Sequence, residues 1–242
     1  MRKAWCILLL LPQFIFAQHD SIKARPYINI SSGVGFSPYR LNKSANSQWM
    51  NYLKAGYNAS LDADLPLFHS FWGIKASFDY FNDGYDMNKF VAQQQASLPQ
   101  STVSAISYGA FNQYFFMVGA FASKTFGKLS LEVWAQAGLE DLYLPNYEDS
   151  FVFTTNQNPY TYTQIYSHPL NLALGGGIGA AYKISVKVAL NAHVGLLSAN
   201  LPYIGNYYKD YYLQGLLFSG VFNQSAHVVM LNTSLGVSYY FN

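Results

Sequence analysis

The chain has 242 residues, 11% of them charged and 18% aromatic, with a formal net charge of +2. An ordinary soluble domain carries about 25% charged residues, so a conventional wet surface is hard to build from this composition. The near-neutral balance also excludes nucleic acid as a partner, because phosphate binding needs a clustered basic field.

Residues 1–17 read as an export leader. Arg2 and Lys3 precede an apolar run from Cys6 to Phe16, and Ala17 supplies a small residue at a cleavage point. The run is too short for a membrane helix, which needs about 20 apolar residues, and Pro12 and Gln13 interrupt it. With Arg2 and Lys3 gone, the basic residues balance the 12 acidic ones. Cys6 is the sole cysteine, so residues 18–242 hold neither a disulfide nor a thiolate nucleophile. No later apolar run reaches spanning length, and one domain accounts for 18–242.

From residue 26 onward the chain alternates apolar and polar residues with the period of a strand. The first strand is expected at Pro26–Phe36 and the second at Tyr52–Leu65, where Leu53, Ala55, Tyr57, Ala59, Leu61, Ala63 and Leu65 share a face. A turn at Pro66–Ser70 leads to a third strand, with Trp72, Ile74, Ala76, Phe78 and Tyr80 on its apolar face. A long polar connection follows at 82–107, whose middle, Asp86–Ala96, suits a short surface helix. The fourth strand, Tyr108–Ser123, is ambiguous in its facing, and we place Tyr114, Phe116, Val118 and Ala120 outward. A short turn at Gly127 gives the fifth strand, from Leu129 to Leu139.

The connection 141–169 reads as a hairpin around Asn156–Pro159 that extends strands five and six. The sixth strand is Leu170–Ile184. The seventh places Val186, Val188, Leu190, Ala192, Val194 and Leu196 opposite Lys187, Asn191 and His193. A tyrosine-rich connection, 199–225, continues strands seven and eight outward. The eighth strand, Ala226–Asn242, ends on Tyr239-Tyr240-Phe241.

Two regularities decide the fold class. Every strand charge lies on the polar face, the separation that lipid enforces, since a cation facing mid-membrane costs about 2–4 kcal/mol. The connections alternate short and long, the order of short periplasmic turns and long outer loops. Both point to an all-β fold, an eight-stranded antiparallel transmembrane β-barrel. In this respect the chain resembles the small bacterial outer-membrane β-barrel family, of the OmpA-barrel, OmpX and OmpW kind. The resemblance rests on the leader, the eight alternating strands, the loop order and the aromatic closing strand. It implies residence in the bacterial outer membrane, contact with its lipid, and insertion by the barrel-assembly machinery, which reads the closing strand. It carries over no site residues.

On the polar face lie Lys54, Asp62, Asp64, Lys75, Asp79, Glu132, Glu140, Lys183 and Lys187. An eight-stranded lumen is just wide enough to be filled by side chains, so these charges are expected to pair into a plug. The alternative is an ion path. Pairing across the turn sets Asp62 opposite Lys75, with Glu132 and Lys187 at similar depth. Gly175-Gly176-Gly177-Ile178-Gly179-Ala180 matches a dinucleotide pattern on paper, but it lies in a strand rather than at a helix start. His193 lacks a serine two residues on, the pattern of barrel deacylases, and the remaining histidines lack metal-ligand spacing. Catalytic residues, cofactors and metals are therefore not assigned. Tyr203, Tyr207, Tyr208, Tyr211 and Tyr212 cluster in the last outer connection. Exposed tyrosines suit protein or glycan contacts, and they equally suit an interfacial belt. The favoured function is a non-enzymatic surface protein that anchors binding loops. A narrow channel for ions or small apolar molecules is the rival, ahead of a secretion-system accessory barrel and a lipid-modifying enzyme.

Overall fold

The computed structural model describes residues 25–36, 54–67, 71–84, 86–97, 101–108, 111–143, 146–153, 156–166, 170–213 and 216–241. The expected leader lies outside them. The strands are β1 (Tyr27–Phe36), β2 (Gly56–Pro66), β3 (Trp72–Asp83), β4 (Ser101–Tyr108), β5 (Phe111–Phe126), β6 (Leu129–Tyr143), β7 (Asn146–Phe153), β8 (Asn156–Tyr166), β9 (Leu170–Lys183), β10 (Val188–Leu213) and β11 (Leu216–Tyr240). A helix, α1 (Met87–Ser97), sits on the expected segment of the first long connection. Among the described residues no helix is long and apolar enough to cross a membrane.

Eight of the strands close on themselves in the order β1-β2-β3-β5-β6-β9-β10-β11, all antiparallel, with β11 returning to β1. The closure is completed where Tyr27 pairs with Tyr240 on one side and Asp64 on the other. Alternation dictates what this ring does with its side chains. The outward set stays exposed although it is apolar, with Leu172 at 79% and Leu235 at 71%. The inward set is buried although much of it is polar, including Asn29, Asp64, Lys75 and Glu140. That inversion is stable only with hydrocarbon outside, and closure leaves no strand edge for lipid to desolvate. In β5 the outward residues are Phe116 and Val118, while Phe115 and Met117 point inward.

Aromatic pairs mark both rims. Phe71 and Trp72, and Tyr239 and Phe241, meet at the short-turn end with centroids 5.2 and 5.4 Å apart. At the opposite end Tyr57, Tyr80, Tyr114 and Tyr143 form a continuous row with centroids 5.8, 5.1 and 5.6 Å apart. The short turns are tight. Gly127 and Lys128 alone join β5 to β6, and Gly127 takes a φ of 62°, the left-handed region a two-residue hairpin needs.

Beyond the barrel β10 and β11 run on together to Leu213 and Leu216. The expected hairpin is present as β7 and β8, but Asn156–Pro159 lie within β8, with Asn156 opposite Phe153. It also extends a different part of the sheet. β8 pairs with β10 at Asn206–Lys209, and β7 pairs with β4, a strand inside the segment expected to be polar connection. The result is an outer sheet in the order β11-β10-β8-β7-β4 above one side of the barrel.

Candidate functional site

The alternation that turns Ile74 and Ala76 outward aims Gly73, Lys75, Ser77, Asp79, Phe81 and Asp83 into the bore. Lys75 is the hub. Its Nζ lies 2.9 Å from Glu132 Oε1, 3.1 Å from Asp64 Oδ2 and 3.7 Å from Asp62 Oδ2, and the side chain is almost fully buried. The ammonium also lies 5.1 Å from the centroid of the Trp134 ring. From the short-turn end the Tyr27 hydroxyl donates to Glu132. Asn29 Nδ2 donates to Asp62 at 2.8 Å, and Asn191 Nδ2 donates to Asn29 Oδ1 at 2.6 Å and to Ser238 Oγ at 3.0 Å. Six strands thus meet around one ammonium. A buried lysine is tolerated because three carboxylates and a ring face it at once.

The register differs from the sequence expectation. Lys75 stands opposite Asp64, and Asp62 stands opposite Ser77, so Asp62 reaches the lysine only on the diagonal. The cause is Pro66. Expected to start the turn, it stays in β2 opposite Gly73, and the Leu67 N–H still bonds Trp72 O at 2.9 Å. Proline removes a donor, and here that donor would face β1, whose pairing has already ended at Asp64. No ladder bond is lost, so the strand runs on.

Two residues expected in the lumen lie outside it. Lys187 is exposed in the turn 184–187, where Ser185 Oγ accepts the Lys187 and Val188 N–H groups at 3.2 and 3.1 Å. Val186, expected as the first residue of strand seven, belongs to the same turn. Lys54 precedes β2, bonds Gly84 O through its backbone N–H, and pairs with Asp86 at 3.8 Å on the exposed rim. Asp79 is in the bore, where it accepts from Ser60 Oγ at 2.6 Å. The five candidate tyrosines lie on β10, a strand rather than a loop, with Tyr207 opposite Val221 and Tyr212 opposite Leu217; their side chains fall outside the described part.

The glycine run lies in β9 and makes room. A Cβ at Gly177 would strike the Trp134 ring, and one at Gly179 would lie 2.7 Å from the His193 ring. His193 packs 5.4 Å from Trp134. The fold sets Ser234 opposite His193 and places Asp62 3.9 Å from His193 Nδ1, a nucleophile, base and carboxylate that sequence spacing did not reveal. The space beside them measures about 20 Å³. That is room for a water-sized occupant and not for a substrate. Among the described residues no group of three or more His, Cys, Asp or Glu is arranged to hold a metal.

Toward the long-connection end the filling changes character. Phe81, Phe111, Phe115, Met117, Leu142 and Met230 are almost fully buried and block the bore with apolar volume. Phe81 and Phe115 meet edge to face at 5.7 Å. Among them Glu140 accepts from Gln113 Nε2 at 2.8 Å, while neither carboxylate oxygen of Asp83 has a hydrogen-bond partner among the described residues.

No protein-family model matches the chain, and no curated protein matches it. Among solved structures it is similar to a major outer membrane protein from Thermus thermophilus, at 13% identity and a TM-score of 0.52 over 90% of this chain and 100% of that one. It also aligns with Neisserial surface protein A, at 12% identity and a TM-score of 0.47 over 89% and 97% of the two chains. The attachment invasion locus protein Ail of Yersinia pestis aligns at 13% identity and a TM-score of 0.38 over 90% and 100%. Likeness at this identity speaks to fold. The fold is that of a small bacterial outer-membrane β-barrel.

Proposed function

We propose that this outer-membrane barrel is a sealed, non-enzymatic anchor that holds a binding sheet at the cell surface. The observation that carries the reading is the filled bore. An ion-paired layer around Lys75 lies in series with an apolar layer around Phe81 and Phe115, and the space left beside the first is about 20 Å³. Filled layers of both kinds oppose the continuous wet path that a channel needs, and a space of about 20 Å³ does not admit a substrate to His193.

The chemistry that remains is outside. The sheet of β11, β10, β8, β7 and β4 stands beyond the barrel, and among the described residues β4 pairs with β7 alone. Its sequence, STVSAISY, carries no charge and no proline, the residues that usually guard such an edge. An extended segment of a surface protein can add there by backbone bonds, and the tyrosines of 203–212 supply contact area for a protein or glycan. The test is adhesion of proteoliposomes to immobilised matrix proteins and glycans. Replacing the five tyrosines by serine is expected to abolish adhesion with the melting temperature unchanged. Undiminished adhesion would overturn the assignment of binding to this sheet.

A further inference from the structure

Charge in the polar layer does not balance. Asp62, Asp64, Asp79 and Glu132 are all buried, and Lys75 is the one lysine among them. Its closest contacts, at 2.9 and 3.1 Å, go to Glu132 and Asp64, on the side toward Tyr27. Asp62 is farther, at 3.7 Å, and Asp79 has no ion-pair partner among the described residues. The carboxylates held less closely by the lysine are thus Asp62, which also faces His193 Nδ1 at 3.9 Å, and Asp79. A carboxylate buried without a counter-ion is strongly disfavoured.

A cavity of about 20 Å³ lies beside both of these carboxylates. Asp62 and Asp79 line it together with Ser60, Gln136, Ser234 and Asn232, and Lys75 and His193 line it as well. A second observation, independent of the acids, points to an occupant. Asn232 is 9% exposed, lines the same cavity, and its Oδ1 has no hydrogen-bond partner among the described residues. The backbone holds it there, because Gly195 directly opposite has no Cβ to displace the amide oxygen. Hydroxyl, amide and carboxylate side chains around a water-sized space offer the oxygen ligands a hard cation takes. Four carboxylates against one ammonium leave a negative surplus, and the Lys75 ammonium, which lines the same space, repels a divalent ion more strongly than a monovalent one.

We propose that this cavity binds one monovalent cation of sodium size, coordinated by Asp62, Asp79 and Asn232 Oδ1, as a structural counter-ion of the plug. The site needs no transport and stands whether or not the outer sheet binds a partner.

The test uses refolded full-length protein in detergent micelles. Thermal unfolding is followed as sodium chloride replaces N-methyl-D-glucamine chloride at constant ionic strength, the organic cation being too large for the cavity. The midpoint is expected to rise by several degrees and to saturate, as a ligand specific to the folded state requires. Asp79→Asn is expected to match or exceed the native midpoint in N-methyl-D-glucamine, since it removes the uncompensated charge, and to show no sodium response. Asn232→Ala keeps both acids and is expected to need severalfold more sodium for half the rise. Equal native midpoints in the two salts, as water or a proton in the cavity would give, would overturn the proposal. So would a sodium response unchanged in both variants.

Discussion

The two halves of the bore are closed by different physics. Near the short turns the closure is ionic, one ammonium held by three carboxylates and backed by Tyr27, Asn29 and Asn191. Near the long connections it is apolar, with Phe81, Phe111, Phe115 and Met230 filling the same cross-section. An ionic layer depends on every member, because removing one partner strands the others in a low dielectric. An apolar layer loses stability in proportion to the volume removed. The first fixes which strands sit side by side, and the second keeps water out.

Substitutions sharpen that contrast. Lys75→Ala strands Asp62, Asp64 and Glu132 and is expected to cost about 3–5 kcal/mol, read from urea unfolding in micelles. A loss below about 1 kcal/mol would show the layer to be wet. Phe81→Ala leaves a cavity in the dry layer and should cost about 3 kcal/mol, without the salt sensitivity expected of Lys75→Ala. Asp83→Asn removes a buried charge that has no hydrogen-bond partner among the described residues, so unfolding in urea should shift to higher concentration, a gain of about 1 kcal/mol. A loss instead would mean that Asp83 is compensated. Lys54→Ala opens an exposed pair and should change stability by less than about 0.5 kcal/mol, the baseline for the other three.

Most of the barrel was legible in the sequence because alternation is a local signal. Leu61 and Asp62, or Leu131 and Glu132, declare their faces without reference to any other strand. The facing of β5 was harder, since Phe115 and Phe116 are equally apolar; inside the bore Phe115 meets Phe81, for whose ring Gly35 leaves space. Register was less legible, because it depends on where a turn ends. Pro66 reads as a turn residue, and only the end of β1 reveals that its missing donor costs nothing. Lys187 was misplaced for a related reason, the alternation of Val186 and Val188 continuing through a turn that Ser185 closes. The partner of Lys75 and the meeting of Ser234, His193 and Asp62 depend on pairings across the closed ring, which single-strand patterns do not encode. The outer sheet shows the same limit. The hairpin of β7 and β8 was visible, but its pairing to β10 and β4 was not.

Whether the bore is closed is read by single-channel recording of the refolded protein in a planar bilayer. A closed bore gives a silent membrane for the native protein and steps or leak only when Lys75 or the aromatic layer is removed. Discrete native conductance steps that change on substitution of Lys75 or Glu132 would contradict it and make the lumen charges the lining of a pore.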